Sequence, residues 1–302
     1  MGAALLPARG IYVHLFLGAI LTATSVGITA RVFRDLGRGQ SAEARVILGA
    51  AVIDDLLGLV ILAVVAGLIG AADAGTSMSG ADIGLVLGKA TVFLVGAVVL
   101  GLWASPRLFG AAARLHGDGV LLVTALAFCF LLSWLAAEIG LAAIVGAYAA
   151  GLILEPGHYR AFTDQGERSL EDLLRPVAEL LVPVFFVVIG MRVDLAAFGR
   201  ADVIGLAALL TLAAVAGKQV CGLGALGSKL DGLSIGIGMV PRGEVGLIFA
   251  NLGLGLSVQG QPVIDAALYS AVVIMVMLTT LVTPPALKWS LGRAGPPVSG
   301  AS

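Results

Sequence analysis

Acidic and basic side chains interrupt two apolar stretches of this sequence. Asp54 and Asp55 lie together in GAAVIDDLLGLV, and Lys218 lies in LAAVAGKQVCGLG. An ionisable group inside a membrane is costly and usually belongs to an ion or proton pathway. Neighbouring carboxylates in a medium of low dielectric constant also titrate unequally. These residue types indicate a chemistry of binding and releasing protons or a cation.

Two further stretches place polar residues beside helix-breaking ones. In GIGMVPRGEVGLIFA, Arg242 and Glu244 follow Pro241, which removes a backbone donor. In LTATSVGITARVF, Thr24 and Ser25 could offer hydroxyl and freed carbonyl oxygens to a small monovalent cation. Structural roles stay open for both pairs. Arg242 and Glu244 could form a network that holds the break, and the hydroxyls could bond back to their own helix.

The polar residues lie in a chain whose composition is that of a membrane protein. Of its 302 residues, 59% are hydrophobic and only 12% are charged, against about 45–50% and about 25% in soluble domains. A soluble protein could not cover such a surface with polar groups, so we expect an all-α polytopic membrane protein. Disordered, nucleic-acid-binding and disulfide-scaffold classes are excluded. Two separated cysteines and three scattered histidines give no basis for a redox pair, a histidine metal site or a bound cofactor.

Apolar stretches of about 17–25 residues can cross a bilayer as helices. The sequence predicts a single transmembrane domain over residues 1–302 with nine spans, at residues 11–33, 46–70, 82–104, 120–137, 139–154, 177–193, 203–226, 232–256 and 263–284. Most of the 18 lysines and arginines fall in the loops of one side, which the positive-inside rule assigns to the cytoplasm. The C-terminus is then predicted to be cytoplasmic, and residues 155–176 are predicted to form a surface segment.

The polar residues of four predicted spans share one depth. Asp54 and Lys218 each lie about eight residues from the cytoplasmic face, or about 12 Å at a rise of about 1.5 Å per residue. A lysine at that depth needs a buried partner, because its side chain is too short to reach the headgroups. The two broken stretches fall at a similar depth. Paired broken helices near the bilayer centre are typical of secondary transporters built from inverted repeats.

Four stretches of the chain resemble one family of membrane proteins. They are AILTATSVGITARVFRDLG, RVILGAAVIDDLLGLVIL, PVFFVVIGMRVDL and GIGMVPRGEVGLIFA. The family is that of bacterial monovalent cation:proton antiporters, the cation:proton antiporter-2 family of the sodium/hydrogen exchanger superfamily. The adjacent aspartates are similar to those of its double-aspartate members. The resemblance implies an inverted-repeat fold with two crossing discontinuous helices.

The same resemblance implies a function for the charged residues of two spans. Asp55 would be the principal cation and proton site, and Asp54 would pair with Lys218. A monovalent cation, Na+ first, would compete with protons for Asp55 as the protein exposes the site to each side of the membrane in turn. If Asp54 released Lys218 on cation binding, the lysine could lose a second proton and exchange would be electrogenic. The protein would be a transporter and not an enzyme.

The two crossing helices would contribute further residues to the site. Thr24 and Ser25 would line it from one unwound segment, while Arg242 and Glu244 would form a structural ion pair in the other. The implied surroundings are the bacterial cytoplasmic membrane and, in the full-length form, a second copy in a homodimer.

The chain departs from the family where it begins. The stretch with Thr24 and Ser25 starts almost at once, at Ile11, so the resemblance implies that about three or four helices of the fold are missing ahead of it. An inactive truncated fragment or an assembly partner is therefore a second hypothesis, beside a K+/H+ antiporter. An intramembrane aspartyl protease is disfavoured, because it needs its two aspartates on different helices.

Overall fold

The computed structural model describes residues 10–76, 80–115, 117, 119–164, 168–228 and 230–293. The chain forms two compact units, one from Met1–Ser77 with Ile189–Ser302 and one from Met78–Val188. In chain order, the α-helices are α1 (Ile11–Thr22), α2 (Val26–Asp35), α3 (Ala42–Asp73), α4 (Gly80–Ala112), α5 (Val120–Glu138), α6 (Ala143–Ile153), α7 (Arg160–Thr163), α8 (Leu170–Met191), α9 (Ala201–Gln219), α10 (Gly232–Gly238), α11 (Gly243–Gly253) and α12 (Ala266–Arg293). Short 3-10 helices cover Pro156–Tyr159, Leu195–Gly199 and Val220–Ala225, and a hairpin pairs β1 (Ser257–Val258) with β2 (Gln261–Pro262).

The predicted all-helical, polytopic fold is confirmed. Within the described ranges, seven helical segments are long and apolar enough to cross a membrane, and the bent pair α10–α11 makes an eighth. One of the seven, Ile11–Asp35, contains α1 and α2. The span predicted at 139–154 corresponds to α6, which has only 11 residues. At about 1.5 Å per residue, α6 alone is too short for a hydrocarbon core of about 30 Å.

The boundary predicted for the sixth span differs from the observed one. Helix α8 begins at Leu170, within the predicted surface segment 155–176, and continues to Met191. Ser169 caps its start, because Ser169 Oγ accepts from the Asp172 amide at 3.2 Å and donates to Asp172 Oδ2 at 2.8 Å. The amphipathic stretch after Ser169 is therefore the first part of this helix and not a separate element.

Helix α12 packs at the centre of the first unit. Its Leu287 is fully buried and belongs to one apolar cluster with Phe33 of α2, Ile47 of α3 and Ile235 of α10. Lipid is as apolar as these side chains, so close van der Waals packing holds such helices together in a membrane. The cluster joins α2, α3, α10 and α12, the elements on which most of the polar residues depend for their position.

Hydroxyl and carboxylate groups also join α10 to α12. Asp231 Oδ2 lies 2.6 Å from Ser234 Oγ and 3.2 Å from Ser290 Oγ, and these two hydroxyls lie 2.8 Å apart. Arg293 lies farther out, 3.9 Å from Asp231 Oδ1. Both serines are fully buried. We call Asp231, Ser234 and Ser290 the Asp231 cluster.

The second unit contains α4–α7 and most of α8. Its core gathers Phe109, Leu121 and Phe162, all nearly inaccessible. Helices α5 and α6 approach so closely that a Cβ on Gly146 would lie 2.0 Å from the carbonyl oxygen of Leu132. Only glycine fits there, which is the small-residue packing expected between membrane helices.

Candidate ion-binding site

The first helix break separates α1 from α2 at Ala23, Thr24 and Ser25. Ala23 and Ser25 have extended backbone angles, with ψ of 142° and 107°, and all three residues are about 1% exposed. Thr22, the last residue of α1, bonds back to Ala19 O at 2.7 Å. Extended backbone in this position leaves amide and carbonyl groups that need partners from another element.

The second break separates α10 from α11, which bend by 44° relative to each other. Pro241 has no amide hydrogen to continue the helix. Gly243 has a φ of +47°, and a Cβ on it would lie 2.4 Å from the Cβ of Ser25. A glycine is therefore required here both for its backbone conformation and for its lack of a side chain.

The two breaks are hydrogen-bonded to each other. The amide of Ser25 donates to Pro241 O at 2.7 Å. The guanidinium of Arg242, 1% exposed, donates to Ala23 O and, at 3.1 Å, to Ala214 O of α9. The bond to Ala23 O satisfies a carbonyl at the first break, and the two bonds together help a buried arginine to be tolerated.

Side-chain contacts add to this connection. Ser25 Oγ donates to Glu244 Oε2 at 2.9 Å, and Thr29 Oγ1 of α2 donates to Gly238 O, at the end of α10, at 2.7 Å. The hydroxyl of Thr29 thus satisfies one of the last carbonyls of α10, which its own helix cannot.

Helix α3 brings the two aspartates to the breaks. Lys218 Nζ of α9 lies 2.8 Å from Asp54 Oδ1, with side chains 9% and 21% exposed. A Cβ on Gly58, one turn beyond Asp54, would lie 3.8 Å from Thr22 Oγ1 at the first break. Residues three and four apart share a helix face, so the face of α3 that carries these carboxylates is turned towards the break.

Three buried oxygens of this region are open to a ligand. Thr24 Oγ1, Asp54 Oδ2 and Asp55 Oδ1 have no hydrogen-bond partner among the residues that the structure describes. We call these atoms the open oxygens. Buried polar atoms are nearly always satisfied in folded proteins, so three such atoms on the first break and on α3 call for an explanation such as an ion or a proton.

The charges of the region leave room for one positive ion. Lys218 pairs with Asp54, and the guanidinium of Arg242 donates to two carbonyls. Neither cation is bonded to Asp55, whose Oδ1 has no partner among the described residues. A single proton or monovalent cation at Asp55 would neutralise this carboxylate, which a medium of low dielectric constant favours.

The structure brings the sequence-predicted residues to one region, with one correction. Asp54 and Lys218 lie in contact, and Thr24 and Ser25 lie at a break. In the described part of the chain, however, Arg242 and Glu244 form no ion pair with each other, because the first bonds to carbonyls and the second to Ser25. Residues two apart point to different sides of a helix, so each reaches a different partner.

Sequence reasoning missed the contribution of Thr29. Its hydroxyl ties α2 to α10, and its position four residues after Ser25 places it on the same face of α2. That spacing is a usable signal, because a second polar residue one turn from a predicted site faces the same neighbour.

A multi-pass helical protein with paired helix breaks and buried ionisable groups has the features of an ion-coupled secondary transporter. The chain belongs to the sodium/hydrogen exchanger transmembrane family, whose pattern matches residues 1–292. That family consists of transporters of the antiporter type.

Individual relatives agree with this assignment. The chain is 40% identical over 280 residues to the high-affinity Na+/H+ antiporter NhaS3 of Synechocystis sp., and the alignment covers 91% of this chain and 57% of NhaS3. It is 36% identical over 283 residues to the Na+/H+-K+ antiporter GerN of Bacillus cereus, and the alignment covers 92% of this chain and 68% of GerN. It is 31% identical over 279 residues to the K+/H+ antiporter subunit KhtU of Bacillus subtilis, and the alignment covers 89% of this chain and 64% of KhtU. The chain thus spans a little over half to two thirds of the length of these relatives.

Proposed function

We propose that this protein exchanges Na+ for protons across a membrane, with Asp55 as the group that binds both. The observation that carries the proposal is the set of open oxygens beside two helix breaks. A hydroxyl and two carboxylate oxygens form a hard, partly negative set of ligands, which suits a small monovalent cation or a proton. NhaS3 and GerN, whose names include Na+/H+ exchange, support Na+ as the cation.

The charge balance gives the mechanism. When Asp55 is ionised, the site lacks one positive charge, and either Na+ or a proton supplies it. The two cannot bind the same carboxylate at once, so loading with one releases the other. If the loaded site opens to each side of the membrane in turn and the empty, charged site does not, movement of Na+ in one direction drives protons in the other.

Asp54 and Lys218 would contribute a second proton to the cycle. A cation that draws Asp54 Oδ1 away from Lys218 would leave an uncompensated ammonium in an apolar region. Lys218 would then release its proton, and exchange would move net charge. The Asp54–Lys218 contact at 2.8 Å supports this step, because it shows the lysine held by the carboxylate beside Asp55.

K+ is the second candidate cation. GerN and KhtU carry K+ in their names, and the same ligand atoms serve either ion. Selection between the two would depend on the size of the space around the open oxygens.

We also propose a location and an assembly for the protein. The distribution of its lysines and arginines favours a cytoplasmic C-terminus, and the resemblance to bacterial antiporters favours a homodimer in the bacterial cytoplasmic membrane. Labelling of a cysteine placed near the C-terminus in intact cells and in inverted membrane vesicles would test the orientation.

Exchange by the purified chain in proteoliposomes tests the function, with a pH-sensitive dye inside and a Na+ or K+ gradient imposed. We expect wild type to acidify or alkalinise the lumen according to the gradient, and Asp55→Asn to fall to the level of empty liposomes, because asparagine neither exchanges a proton nor carries the negative charge that binds the cation. Asp35→Asn is the matched control. Its carboxylate is exposed and lies 3.9 Å from Arg31, so exchange should persist. Undiminished exchange by Asp55→Asn would reject the assignment.

A further inference from the structure

Ser25 is held on two sides by the second helix break. Its amide donates to Pro241 O at 2.7 Å and its hydroxyl to Glu244 Oε2 at 2.9 Å. Gly243 leaves no free space beside it, since a Cβ there would lie 2.5 Å from Ser25 Oγ. The position and the rotation of the Ser25 hydroxyl are therefore both determined by residues of α11 and its break.

A serine hydroxyl has one hydrogen, and its direction decides whether the oxygen can meet a cation. Thr22, three residues earlier, shows the alternative, because its hydroxyl turns back to its own helix at Ala19 O. With its hydrogen given to Glu244, Ser25 turns its lone pairs away from that carboxylate. A hydrogen bond to a carboxylate also draws electron density onto the hydroxyl oxygen, which strengthens it as a cation ligand.

We propose that Glu244 is a positioning residue for cation binding: its carboxylate holds the Ser25 hydroxyl so that the oxygen, and not the hydrogen, faces the ion bound beside Asp55. This inference rests on the proposed function. It gives Glu244 a task different from the structural ion pair with Arg242 that the sequence predicts.

The side chain of Glu244 acts through its reach more than through its charge. Among the described residues, the carboxylate of Glu244 accepts the hydrogen bond of Ser25 at 2.9 Å, and Ser25 itself is about 1% exposed. Loss of reach therefore breaks this bond, whereas loss of charge alone leaves an acceptor in place. Substitutions can separate the two contributions.

Three substitutions of Glu244 form the test, with Na+ as the probe in proteoliposomes. Glu244→Gln keeps an acceptor at the same reach and removes the charge. Glu244→Asp keeps the charge and shortens the reach, and Glu244→Ala removes both. We expect Asp and Ala to raise the KM for Na+ about tenfold at little change in kcat, and Gln to remain within about twofold of wild type. Glu179→Ala, in the exposed Arg175–Glu179 pair of α8, is the control and should leave KM unchanged.

Ser25→Ala gives an independent check through a double-mutant cycle. If Glu244 acts through Ser25, the KM of Ser25→Ala combined with Glu244→Ala should match that of the worse single variant, because the second change removes an interaction already lost. Multiplicative effects, or a Glu244→Gln variant as impaired as Glu244→Ala, would overturn the inference.

A second measurement separates this inference from the proposed function. Thermal unfolding in detergent at increasing Na+ concentration reports the apparent Kd of each variant and also shows that each is folded. If wild type binds Na+ but exchanges nothing, and the Kd shifts with the same pattern, the proposed function fails and the role of Glu244 stands. If wild type exchanges Na+ and the variants share its KM and Kd, the role of Glu244 fails and the proposed function stands.

Discussion

The first unit contains two sets of buried polar side chains that differ in how their hydrogen bonds are satisfied. In the Asp231 cluster, the carboxylate is met by two hydroxyls at 2.6 and 3.2 Å, and these hydroxyls meet each other. At the helix breaks, the hydroxyls of Ser25 and Thr29 are bonded, yet Arg242 Nε and the open oxygens have no partner among the residues that the structure describes. The hydroxyls of both sets are buried and their carboxylates are partly buried, and both sets join helices that are distant in sequence.

The difference separates a structural from a functional use of polar groups. A fully bonded network stabilises one arrangement and gains nothing from a ligand. A buried oxygen without a partner destabilises the fold by about 1–3 kcal/mol, and it persists where a ligand or a proton completes it. Loss of a group from the Asp231 cluster should therefore affect stability, whereas loss of an open oxygen should affect ion binding.

Lys218→Gln should have the largest effect, because it should change both the stability of the fold and the ion-binding region. It leaves Asp54 partly buried without its ammonium partner, and removing one member of a buried pair costs about 3 kcal/mol or more. The additional change Asp54→Asn should restore most of the lost stability, because no uncompensated charge then remains. Thermal unfolding in detergent measures both variants, and an unchanged melting temperature for Lys218→Gln would contradict the pairing.

The transported charge of Lys218→Gln gives a separate readout. If the lysine supplies a second proton, the remaining exchange should be electroneutral and insensitive to an imposed membrane potential. Exchange that still responds to the potential would remove the proton-carrying role and leave the structural one.

Thr24→Val tests whether loss of an open oxygen affects ion binding without lowering stability. Valine has nearly the shape of threonine, and the Thr24 hydroxyl is one of the open oxygens, so the melting temperature should be unchanged or slightly raised. The KM for Na+ should increase about tenfold, the effect of a lost ligand of about 1.4 kcal/mol. The matched change in the other set is Ser234→Ala, which should lower stability by about 1–2 kcal/mol and leave KM unaltered. The same behaviour in both variants would remove the distinction between the two sets.

The sequence was sufficient for the parts of this structure that depend on composition and periodicity. An all-helical membrane fold follows from the length of the apolar stretches, and the breaks follow from polar residues beside Pro241 or within LTATSVG. A contact of Lys218 with one of the adjacent aspartates was predictable because opposite charges at one depth of an apolar region have few alternatives, and the family resemblance implied that the partner is Asp54.

The hydrogen-bond partners at the helix breaks were not predictable from the sequence, because they depend on the path of the backbone between helices. Once residues 23–25 are extended, the carbonyl of Ala23 and the amide of Ser25 point in directions that no helical repeat specifies. Arg242 therefore bonds to that carbonyl and not to Glu244, and Ser25 receives Glu244 as its acceptor. The short length of α6 was not predictable for a similar reason, since an apolar stretch indicates a membrane segment and not how much of it is helical.

Asp231→Asn should have the smallest effect, a small loss of stability. The pH dependence of this loss shows whether the Asp231 carboxylate causes it. Burial alone would raise the pKa of Asp231, but hydrogen bonds from Ser234 and Ser290 hold it below its ordinary value of 3.8. A carboxylate with a lowered pKa contributes stability above its unfolded-state pKa and loses that contribution as the pH falls through its folded-state pKa. Wild type should exceed the variant by about 1 kcal/mol throughout pH 5–8, and the difference should shrink only as the pH falls below about 4.

Melting temperatures of wild type and Asp231→Asn across this pH range test the predicted pH dependence of the stability difference. Exchange at neutral pH tests whether the Asp231 cluster lies outside the ion-binding region. A difference that disappears already near pH 6 would mean that another group carries it. Because Asp231 Oδ2 accepts from both serine hydroxyls and no atom of the Asp231 cluster is among the unpartnered buried atoms of the described residues, Asp231→Asn should leave the KM for Na+ as it is in wild type. A changed KM would show instead that the position of α10, which this cluster fixes to α12, is transmitted through Gly238 and Thr29 to the ion-binding region.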